Sequence, residues 1–349
     1  MLTISATQLT EFAARLLAAG GLPGDEAQLI AVSLVGSNLR GHDSHGVMRV
    51  PSYLEACRKG EVMPGAAFTV LERTDSLLAA DANWGFGQPQ AQRLTQDLIQ
   101  MASNTGLAVG TMIRSSHVGR LGEYCETAAE AGFVSQMMVN THGHARRVAP
   151  PGGKAPRLGT NPIALGAPAS GGPLILDFGT SATAEGKVRL KRIAGEHCPP
   201  GWLLDSEGRP TQDPTTLYGE PPGTILPLGG DQSYKGFGLA LMIEIFAGAL
   251  SGGACVREVP KNQNGNCVFM LLVDPARLGG AEHFACEVSN LTQFVRDCPT
   301  IEPGAQILLP GDIERRTMAK RSSEGIPFDD GNWKQLVDLA ARLNVNVPA

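Results

Sequence analysis

Apolar residues recur at helical spacing near both ends of the chain. Residues 5–19 and 25–39 repeat apolar side chains every three or four positions, and two stretches after residue 311 do the same. This spacing gathers the apolar side chains on one face of a helix, and that face must pack against another element. We therefore expect the two termini to build one helical domain, residues 1–65 with 300–349.

The middle of the chain carries short apolar runs separated by Gly and Pro. Strands are predicted over residues 107–115, 133–140, 173–181 and 267–275. Residues 116–132 predict a helix that His117 opens, whereas residues 141–162 are rich in Gly and Pro and predict a loop. Residues 66–299 are therefore expected to form a second, strand-rich domain.

A polar turn joins the second predicted helix to a third. Residues 41–49 read GHDSHGVMR, and such a cluster is costly to bury unless its groups are paired. The Asp or the Ser of this turn can cap the next helix, which is predicted from Gly46 to about Arg58. On that helix Arg49 and Tyr53 would be four residues apart and would share a face.

Composition limits the class of protein. The 349 residues are 42% hydrophobic and 18% charged, which is typical of a globular chain of two domains. The net charge is −5 and no run of Lys and Arg exceeds two residues, so no nucleic-acid partner is expected. A local basic pocket could still bind a small acid. Residues 236–250 are apolar but include Glu244, which predicts a buried helix and not a membrane span.

Several common motifs are absent from the sequence. It contains no GxGxxG, GxxxxGK[ST], GxSxG or HExxH, so the ordinary Rossmann fingerprint and the P-loop are excluded. His42 and His45 have a spacing that could suit a metal, but no cluster of further ligands accompanies them, and no metal site is expected. The seven cysteines form no CxxC and no leader segment is evident, which predicts reduced thiols in the cytoplasm.

Taken singly, the candidate side chains have ordinary structural explanations. A histidine at a helix start, such as His117, is often a cap or a packed core residue. Arg49 could pair with a surface acid, Asp177 could cap a helix, and Lys235 could be an ordinary surface lysine. Any functional prediction must therefore rest on the set of residues and their order along the chain.

Seven stretches, taken in order, resemble one family. They are GHDSHGVMRVPSY (41–53), SSHVGRLGEY (115–124), GTNP (159–162), LDFGTSATAEGK (176–187), YKGFGLALMIE (234–244), GALSGG (248–253) and LLPGD (308–312). They extend over nearly the whole chain, which resembles the malate/L-lactate dehydrogenase-type oxidoreductases. That family includes ureidoglycolate and sulfolactate dehydrogenases and cyclic-imine reductases. The first and last stretches look nearest to its bacterial hydroxycarboxylate dehydrogenases.

The resemblance implies an α/β fold that binds a nicotinamide dinucleotide without a Rossmann domain. In such a fold the central mixed β-sheet domain, residues 66–299, would bind NAD or NADP. The helical domain from both termini would close a substrate cleft beside it. The resemblance also implies a homodimer with its active site near the subunit contact, and it accounts for the missing GxGxxG.

The reaction that the resemblance implies moves a hydride between the nicotinamide and C2 of a 2-hydroxy or 2-oxo carboxylic acid. His117 would then be the general acid and base, since imidazole titrates near neutral pH. Arg49 would bind the substrate carboxylate through its guanidinium. Ser44 and His45 would position the substrate by hydrogen bonds, and Tyr53 would line the same pocket.

The positions that match the family's cofactor site are spread along the chain. They are His45, Gly119, Arg120, Leu121, Thr141, Ile175, Leu176, Asp177, Phe178, Gly179, Tyr234, Lys235, Gln263, Glu314, Arg315, Arg316 and Thr317. The N–H groups that follow His117 could meet a phosphate. Arg315 or Arg316 could meet the 2′-phosphate of NADP or pair with an acid, so the sequence leaves NAD and NADP open.

Three other functions stay open. Cyclic imino acids, such as piperideine- or pyrroline-2-carboxylate, carry a carboxylate and a C=N group that the same clamp and proton donor would serve. A non-catalytic dinucleotide-binding protein and a metal hydrolase belong to other classes. Turnover that vanishes in His117→Ala would favour the enzyme, and stoichiometric bound metal would favour the hydrolase. The expected partner is a small 2-oxo or 2-hydroxy acid, with no nucleic acid and no membrane.

Overall fold

The computed structural model describes residues 2–142, 146–258 and 265–348, with helices at both ends of the chain and most strands in its middle. The α-helices are α1 (Ala6–Ala19), α2 (Gly24–Leu39), α3 (Val50–Arg58), α4 (Gly87–Thr105), α5 (Gly122–Glu130), α6 (Glu185–Ala194), α7 (Tyr234–Ile243), α8 (Ala281–Arg296), α9 (Asp312–Glu324) and α10 (Asp330–Leu343). The strands are β1 (Leu2–Ile4), β2 (Thr69–Arg73), β3 (Leu77–Asp81), β4 (Leu107–Ser115), β5 (Val134–His142), β6 (Pro162–Ala167), β7 (Leu174–Gly179), β8 (Leu203–Leu204), β9 (Pro210–Thr211), β10 (Thr224–Ile225), β11 (Gly265–Val273) and β12 (Ile326–Phe328).

A mixed sheet occupies the middle of the fold. Across the part of the chain that the structure describes, its strand order is β2-β3-β4-β11-β5-β6-β7. Strands β3 and β4 run parallel, and the other neighbouring pairs are antiparallel. The apolar face of α4, with Leu94 and Leu98, packs with Met112 and Met270 of the sheet in one buried cluster. The central mixed sheet that the resemblance implied is therefore confirmed.

A separate hydrophobic cluster joins the two ends of the chain. Leu9 and Phe12 of α1 pack in it with Leu336 and Ala340 of α10, and β1 pairs antiparallel with β12. Ser5 accepts a hydrogen bond from the backbone N–H of Gln8 and so caps α1. The first and last segments of the chain thus share a core, as their apolar spacing predicts.

The polar turn before α3 is organised by Asn38. The Oδ1 atom of Asn38 accepts the N–H of Val47 at 2.9 Å, and its Nδ2 donates to Asp43 Oδ1 at 2.7 Å. A Cβ at Gly46 would lie 2.3 Å from Asn38 Oδ1, so this close approach requires glycine. The side chain of Asn38 therefore fixes where the turn residues lie.

The third helix begins later than predicted. Two short 3₁₀ turns, Asp43–His45 and Val47–Arg49, precede α3, which begins only at Val50. Pro51 stands in its first turn, where a missing N–H costs nothing. The predicted start at Gly46 is wrong, and Arg49 precedes the helix that carries Tyr53.

His117 does not open a helix. Residues 116–121 connect β4 to α5, and α5 begins at Gly122. Gly119 has a φ of +81°, a left-handed conformation that interrupts a right-handed helix. The prediction of a helix over residues 116–132 is therefore wrong for its first six residues.

Two more predictions need correction. Residues 162–167 form β6, a strand that the sequence did not predict. The apolar stretch 236–250 continues α7 into a π-helical turn, Glu244–Ala249, and it is buried on only one side. Glu244 is 2% exposed, whereas Leu241, Met242 and Ile245 are 43–45% exposed. Among the described residues, no helix has the length and apolar character needed to cross a bilayer.

Candidate active site

Three side chains from distant parts of the chain meet near the end of β4. The Oη atom of Tyr53, on α3, lies 2.7 Å from Nδ1 of His117. Gln88, at the start of α4, donates from its Nε2 to the same Oη at 2.7 Å. Gln88 is fully buried, Tyr53 is 7% exposed, and His117 is half-buried. This row of hydrogen bonds, from Gln88 through Tyr53 to His117, holds the imidazole through Nδ1. It leaves Nε2 without a hydrogen-bond partner among the described residues.

His45 stacks on His117 and shares its environment. The ring centroids are 5.1 Å apart, and the ring planes differ by 18°. Burial lowers the pKa of His45 to about 3, and the charges of Arg49, His42 and Arg120 act in the same direction. Burial, Arg49 and His45 also hold the pKa of His117 well below its ordinary value of 6.5. Both imidazoles are therefore neutral at pH 7 in the protein without ligand.

Arg49 brings a positive charge that has no carboxylate partner among the described residues. Its Nε donates to the backbone oxygen of Ser44 at 2.7 Å, which fixes the guanidinium beside the histidines. Ser44 in turn faces α6, since a Cβ on Gly186 would lie 2.9 Å from Ser44 Cβ. A cation of this kind, next to a neutral half-buried His117, suits a small anionic ligand.

A second polar group surrounds Arg120. This residue is 3% exposed, and its Nη2 donates to Glu126 Oε2 at 2.8 Å. Its Nε and Nη1 atoms are buried without a partner in the described part of the chain. The N–H of Gly122 donates to Asp177 Oδ2 at 2.7 Å, and a Cβ on Gly122 would clash with Arg120 Nη1. Burial raises the pKa of Asp177, while the Gly122 N–H and Arg120 oppose that rise.

Residues of α9 complete the second group. His42 Nε2 lies 3.3 Å from Glu314 Oε1, and Arg315 Nη2 donates to Asp312 Oδ1 at 2.6 Å. A Cβ on Gly41 would lie 3.2 Å from Thr317 Cγ2. The group borders a cleft of about 120 Å³ lined by Arg40, Glu126, Glu130, Pro173, Ile175, Gly311, Glu314, Arg315 and Met318.

The structure thus divides the predicted site residues into two groups. Ser44, His45, Arg49, Tyr53 and His117 form the first group. Arg120, Ile175, Asp177, Glu314 and Arg315 belong to the second, with Gly119 and Leu121 flanking Arg120 and Thr317 bordering Gly41. Arg120 is only three positions after His117, so the two groups are adjacent.

Some predicted cofactor positions on the strands lie away from the second group. Side chains alternate along a strand, so Leu176 and Phe178 lie on the face of β7 opposite Ile175 and Asp177. Phe178 packs beside Ile163 and Ile243, and Gly179 ends the strand. In β5, Thr141 is half-buried, and a Cβ on Gly159 would lie 2.5 Å from its Oγ1.

The remaining cofactor positions have local contacts or lie outside the described residues. Arg316 donates to Gln306 Oε1 at 2.5 Å. Tyr234 is 58% exposed and donates to Gln232 at 3.0 Å, with the Lys235 ammonium 5.8 Å from its ring centroid. Gln263 lies outside the described residues.

Gln88 is the site residue that sequence reasoning missed. Its apolar neighbours in the chain indicate the start of an amphipathic helix, and nothing in that spacing marks a polar contact. Its partner Tyr53 lies 35 residues earlier in the sequence, so only the tertiary structure reveals the pair. Within residues 2–142, 146–258 and 265–348, no group of three His, Cys, Asp or Glu side chains is placed to hold a metal ion.

Fold and sequence comparisons place the protein among oxidoreductases of the dehydrogenase class. The chain belongs to the malate/L-lactate dehydrogenase family, which it matches over residues 4–337. It is 36% identical to the L-lactate dehydrogenase of Cupriavidus necator over 352 residues, covering 99% of each chain. It is 34% identical to hydroxycarboxylate dehydrogenase B of Escherichia coli K12, covering 93% of this chain and 90% of that protein.

A solved structure that is named for a different activity also resembles the protein. It is the Δ1-piperideine-2-carboxylate reductase of Pseudomonas syringae pv. tomato, with a TM-score of 0.84 and 30% identity. The likeness covers 97% of this chain and 100% of the reductase. The chain therefore resembles proteins that are named for 2-hydroxy acids and one that is named for a cyclic imino acid, and these resemblances alone do not choose between the two substrate classes.

Proposed function

We propose that the protein transfers a hydride between a nicotinamide dinucleotide and C2 of a 2-hydroxy or 2-oxo carboxylic acid. The observation that carries the proposal is Arg49, a fixed guanidinium without a carboxylate partner among the described residues, beside a half-buried His117. A 2-oxo acid has a carboxylate that Arg49 can bind and a carbonyl oxygen that His117 can protonate. The names of the lactate and hydroxycarboxylate dehydrogenases in the family support this substrate class.

Each residue of the first group has a defined part in this proposal. Arg49 binds the carboxylate, and His117 holds the proton at Nε2, the nitrogen that Tyr53 leaves free. His45 and Ser44 border the same space and orient the acid. Tyr53 fixes the plane of the imidazole.

The charge of the substrate itself would prepare His117 for reduction. Arg49 lowers the pKa of His117 in the free protein, so at neutral pH the imidazole lacks its second proton. A bound carboxylate offsets the charge of Arg49 and thereby favours the imidazolium. The protonated Nε2 can then donate to the oxygen that becomes the hydroxyl group, and the same nitrogen accepts that proton in the oxidation direction.

The second group would hold the cofactor, NAD or NADP. The residues present fit such a group, because Arg120 has two buried nitrogen atoms without partners, as an anion-binding guanidinium would. Arg120, Asp177, Ile175 and Glu314 would line its site. When bound, the nicotinamide supplies or accepts the hydride. The binding of a dinucleotide outside a Rossmann domain, in a cleft between residues 66–299 and the terminal helices, is part of the same proposal.

We also propose that the protein is a homodimer in the cytoplasm. Helix α8 has no buried residue, and Leu291 and Phe294 on it are 61% and 79% exposed. Apolar surface of this kind marks a protein contact, and a second copy of the chain is the proposed partner. Light scattering should give twice the monomer mass, and Phe294→Asp should reduce it. Seven cysteines without a disulfide support the location.

A single panel of assays tests the reaction. Oxidation of NADH and NADPH is followed with pyruvate, oxaloacetate, phenylpyruvates, sulfopyruvate and cyclic imino acids. Turnover of 2-oxo acids that His117→Ala abolishes is the expected result. Absence of turnover with every 2-oxo acid, while cyclic imino acids are reduced, would contradict the proposal.

The cyclic imino acid reductase is the second candidate function. The structural likeness to the Pseudomonas syringae reductase favours it, and its substrates carry the carboxylate that Arg49 would bind. Its identity of 30% is below the 36% of the lactate dehydrogenase, which is why the C=O substrate is placed first.

A further inference from the structure

A buried row of hydrogen bonds determines which nitrogen of His117 carries the proton. Gln88 Nε2 donates to Tyr53 Oη at 2.7 Å, and that oxygen lies 2.7 Å from His117 Nδ1. A tyrosine hydroxyl has one proton to donate. Among the described residues, with Gln88 Nε2 facing Tyr53, Nδ1 is the one acceptor within reach of this proton, so the hydroxyl donates to Nδ1. His117 then accepts at Nδ1 and, when neutral, carries its proton on Nε2.

That arrangement cannot support the proton transfer proposed above. A base needs a free lone pair at Nε2, and an imidazolium needs a proton at both ring nitrogens. In either case Nδ1 must carry a proton and donate it to Tyr53 Oη. The hydroxyl proton of Tyr53 must then point to another acceptor. The tyrosinate is no alternative, since burial raises the pKa of Tyr53 to about 12.

The carboxamide oxygen of Gln88 is the acceptor in reach. Gln88 Oε1 is buried and has no partner among the described residues. Rotation of the amide by half a turn would exchange Nε2 and Oε1 and would bring the oxygen to Tyr53. The only described hydrogen bond lost is the one from Nε2 to Oη, and the bond from the Tyr53 hydroxyl to Oε1 replaces it.

We propose that Gln88 is a positioning residue that switches His117 between two hydrogen-bonding states. When Gln88 Nε2 faces Tyr53, neutral His117 carries its proton on Nε2 and is inactive. When Gln88 Oε1 faces Tyr53, Nδ1 of His117 is protonated and its Nε2 exchanges a proton with the substrate oxygen. The inference rests on the proposed function for the role of Nε2, but the state of the free protein can be measured without turnover.

Other groups around the row bear on its titration. Arg49 and His45, from the segment before α3, face His117 and disfavour its charged form. Glu123 of α5 and Arg49 act on Tyr53. A substitution at Gln88 leaves all of these in place, so a change in the pH profile reports on residue 88. Gln88→Met adds no charge and so separates the loss of the amide from the attraction of a new carboxylate.

Two substitutions at Gln88 and one matched control make the kinetic test. In Gln88→Glu the carboxylate only accepts, which favours the Nδ1-protonated state. The pH limb of kcat/KM that reports His117 should rise by about one unit or more. Gln88→Met removes both amide ends and should lower kcat about tenfold with the KM of NADH unchanged. Gln90→Met removes another buried amide of α4, which donates to Ala66 O at 2.7 Å, and should keep the wild-type limb.

An activity-independent readout separates this inference from the proposed function. Nitrogen chemical shifts of ¹⁵N-histidine-labelled protein distinguish the two tautomers, with His117 assigned by its loss in His117→Asn. The free wild type at pH 7 should have Nε2 protonated, and Gln88→Glu should have Nδ1 protonated. An Nδ1-protonated His117 in the free wild type, or an unchanged tautomer and pH limb in both Gln88 variants, would overturn the inference. If no 2-oxo acid is turned over, the proposed function fails and the tautomer measurement still decides the role of Gln88.

Discussion

Two buried polar clusters, around Glu244 and around His117, differ in how many of their polar atoms are hydrogen-bonded. Around Glu244, Oε1 accepts from Asn161 at 2.9 Å, and Oε2 accepts from Asn140 and from the N–H of Val256, each at 2.9 Å. Around His117, by contrast, Gln88 Oε1 and His45 Nδ1 are buried without partners in the described part of the chain. The first cluster has one such atom, Asn161 Oδ1, but its charged group is fully bonded.

The contrast separates a structural cluster from the cluster that we propose to be reactive. A buried carboxylate that three donors satisfy gains nothing from a ligand. Buried polar atoms without partners are rare, and they mark places where a ligand or a second hydrogen-bonding state belongs. The clusters are also connected, since Asn266 accepts the N–H of Val118 at 3.2 Å and donates to Asn140 O at 2.8 Å. The Glu244 cluster therefore supports the segment that carries His117.

The largest effect should come from removing the reactive group of the His117 cluster. His117→Asn stays polar but cannot exchange a proton near neutral pH, so kcat for a 2-oxo acid should fall about 10²–10⁴-fold. Fluorescence titration with NADH should give an unchanged Kd, because the Arg120 group is untouched. A kcat near the wild-type value would remove His117 from acid–base catalysis.

The next effect concerns the unpaired charge of the same cluster. Arg49→Met keeps an apolar stem and removes the guanidinium, so the KM of the 2-oxo acid should rise about a hundredfold, as when a charged pair is truncated. Arg58→Met on α3 is the control, because Arg58 is exposed and, among the described residues, pairs only with Glu55. Steady-state kinetics over a range of substrate concentrations measures both variants. An equal change in the two would argue against a carboxylate site at Arg49.

The Glu244 cluster should respond in stability and not in chemistry. Glu244→Gln replaces an accepting carboxylate oxygen with an NH2 group that faces the N–H donors around it. The unpaired donors should lower the free energy of unfolding by about 2–3 kcal/mol. Urea unfolding measures this, with exposed Glu196→Gln as the control, which should change the free energy of unfolding far less. The kcat of the folded variant should change far less than that of His117→Asn. A stable but inactive Glu244→Gln would place Glu244 in the reactive cluster and break the distinction.

Local pattern predicted the elements whose bounds depend on nearby residues. The predicted strand over 107–115 matches β4, and the predicted helix over 5–19 matches α1 with its Ser5 cap. The cluster GHDSHGVMR lies beside His117, as the resemblance implied. Residue chemistry and order along the chain were sufficient for these because they involve few long-range choices.

The errors fall where distant residues decide the local structure. The segment of His117 is held by Asn266, which is 148 residues away, and the turn before α3 is held through Asp43 by Arg321, which is 278 residues away. Gln88 acts on a tyrosine of another helix. No helical or strand period encodes such contacts, so the start of α5 and the contact of Gln88 with Tyr53 needed the three-dimensional structure.

The smallest expected effect uses pH to compare the two clusters. Burial holds the pKa of His45 at about 3, against 6.5 for the ordinary group. Below pH 6.5, His45 therefore binds a proton in the unfolded chain but not in the folded protein. The free energy of unfolding consequently decreases as the pH falls toward 3. For each histidine the loss is at most about 1.4 kcal/mol per pH unit. The His45→Gln substitution removes the pH-dependent loss of stability that His45 causes and leaves the loss that His117 causes.

Urea unfolding of wild type and His45→Gln at pH 7 and pH 5 isolates this contribution. The wild type should lose about 1–2 kcal/mol more than the variant between the two pH values. Glu244→Gln should instead lower stability at both pH values and leave the difference between them close to that of the wild type. Identical pH dependence in wild type and His45→Gln would mean that His45 is not kept neutral by its surroundings, and the polar cluster at His117 would then be more accessible to water than its packing indicates.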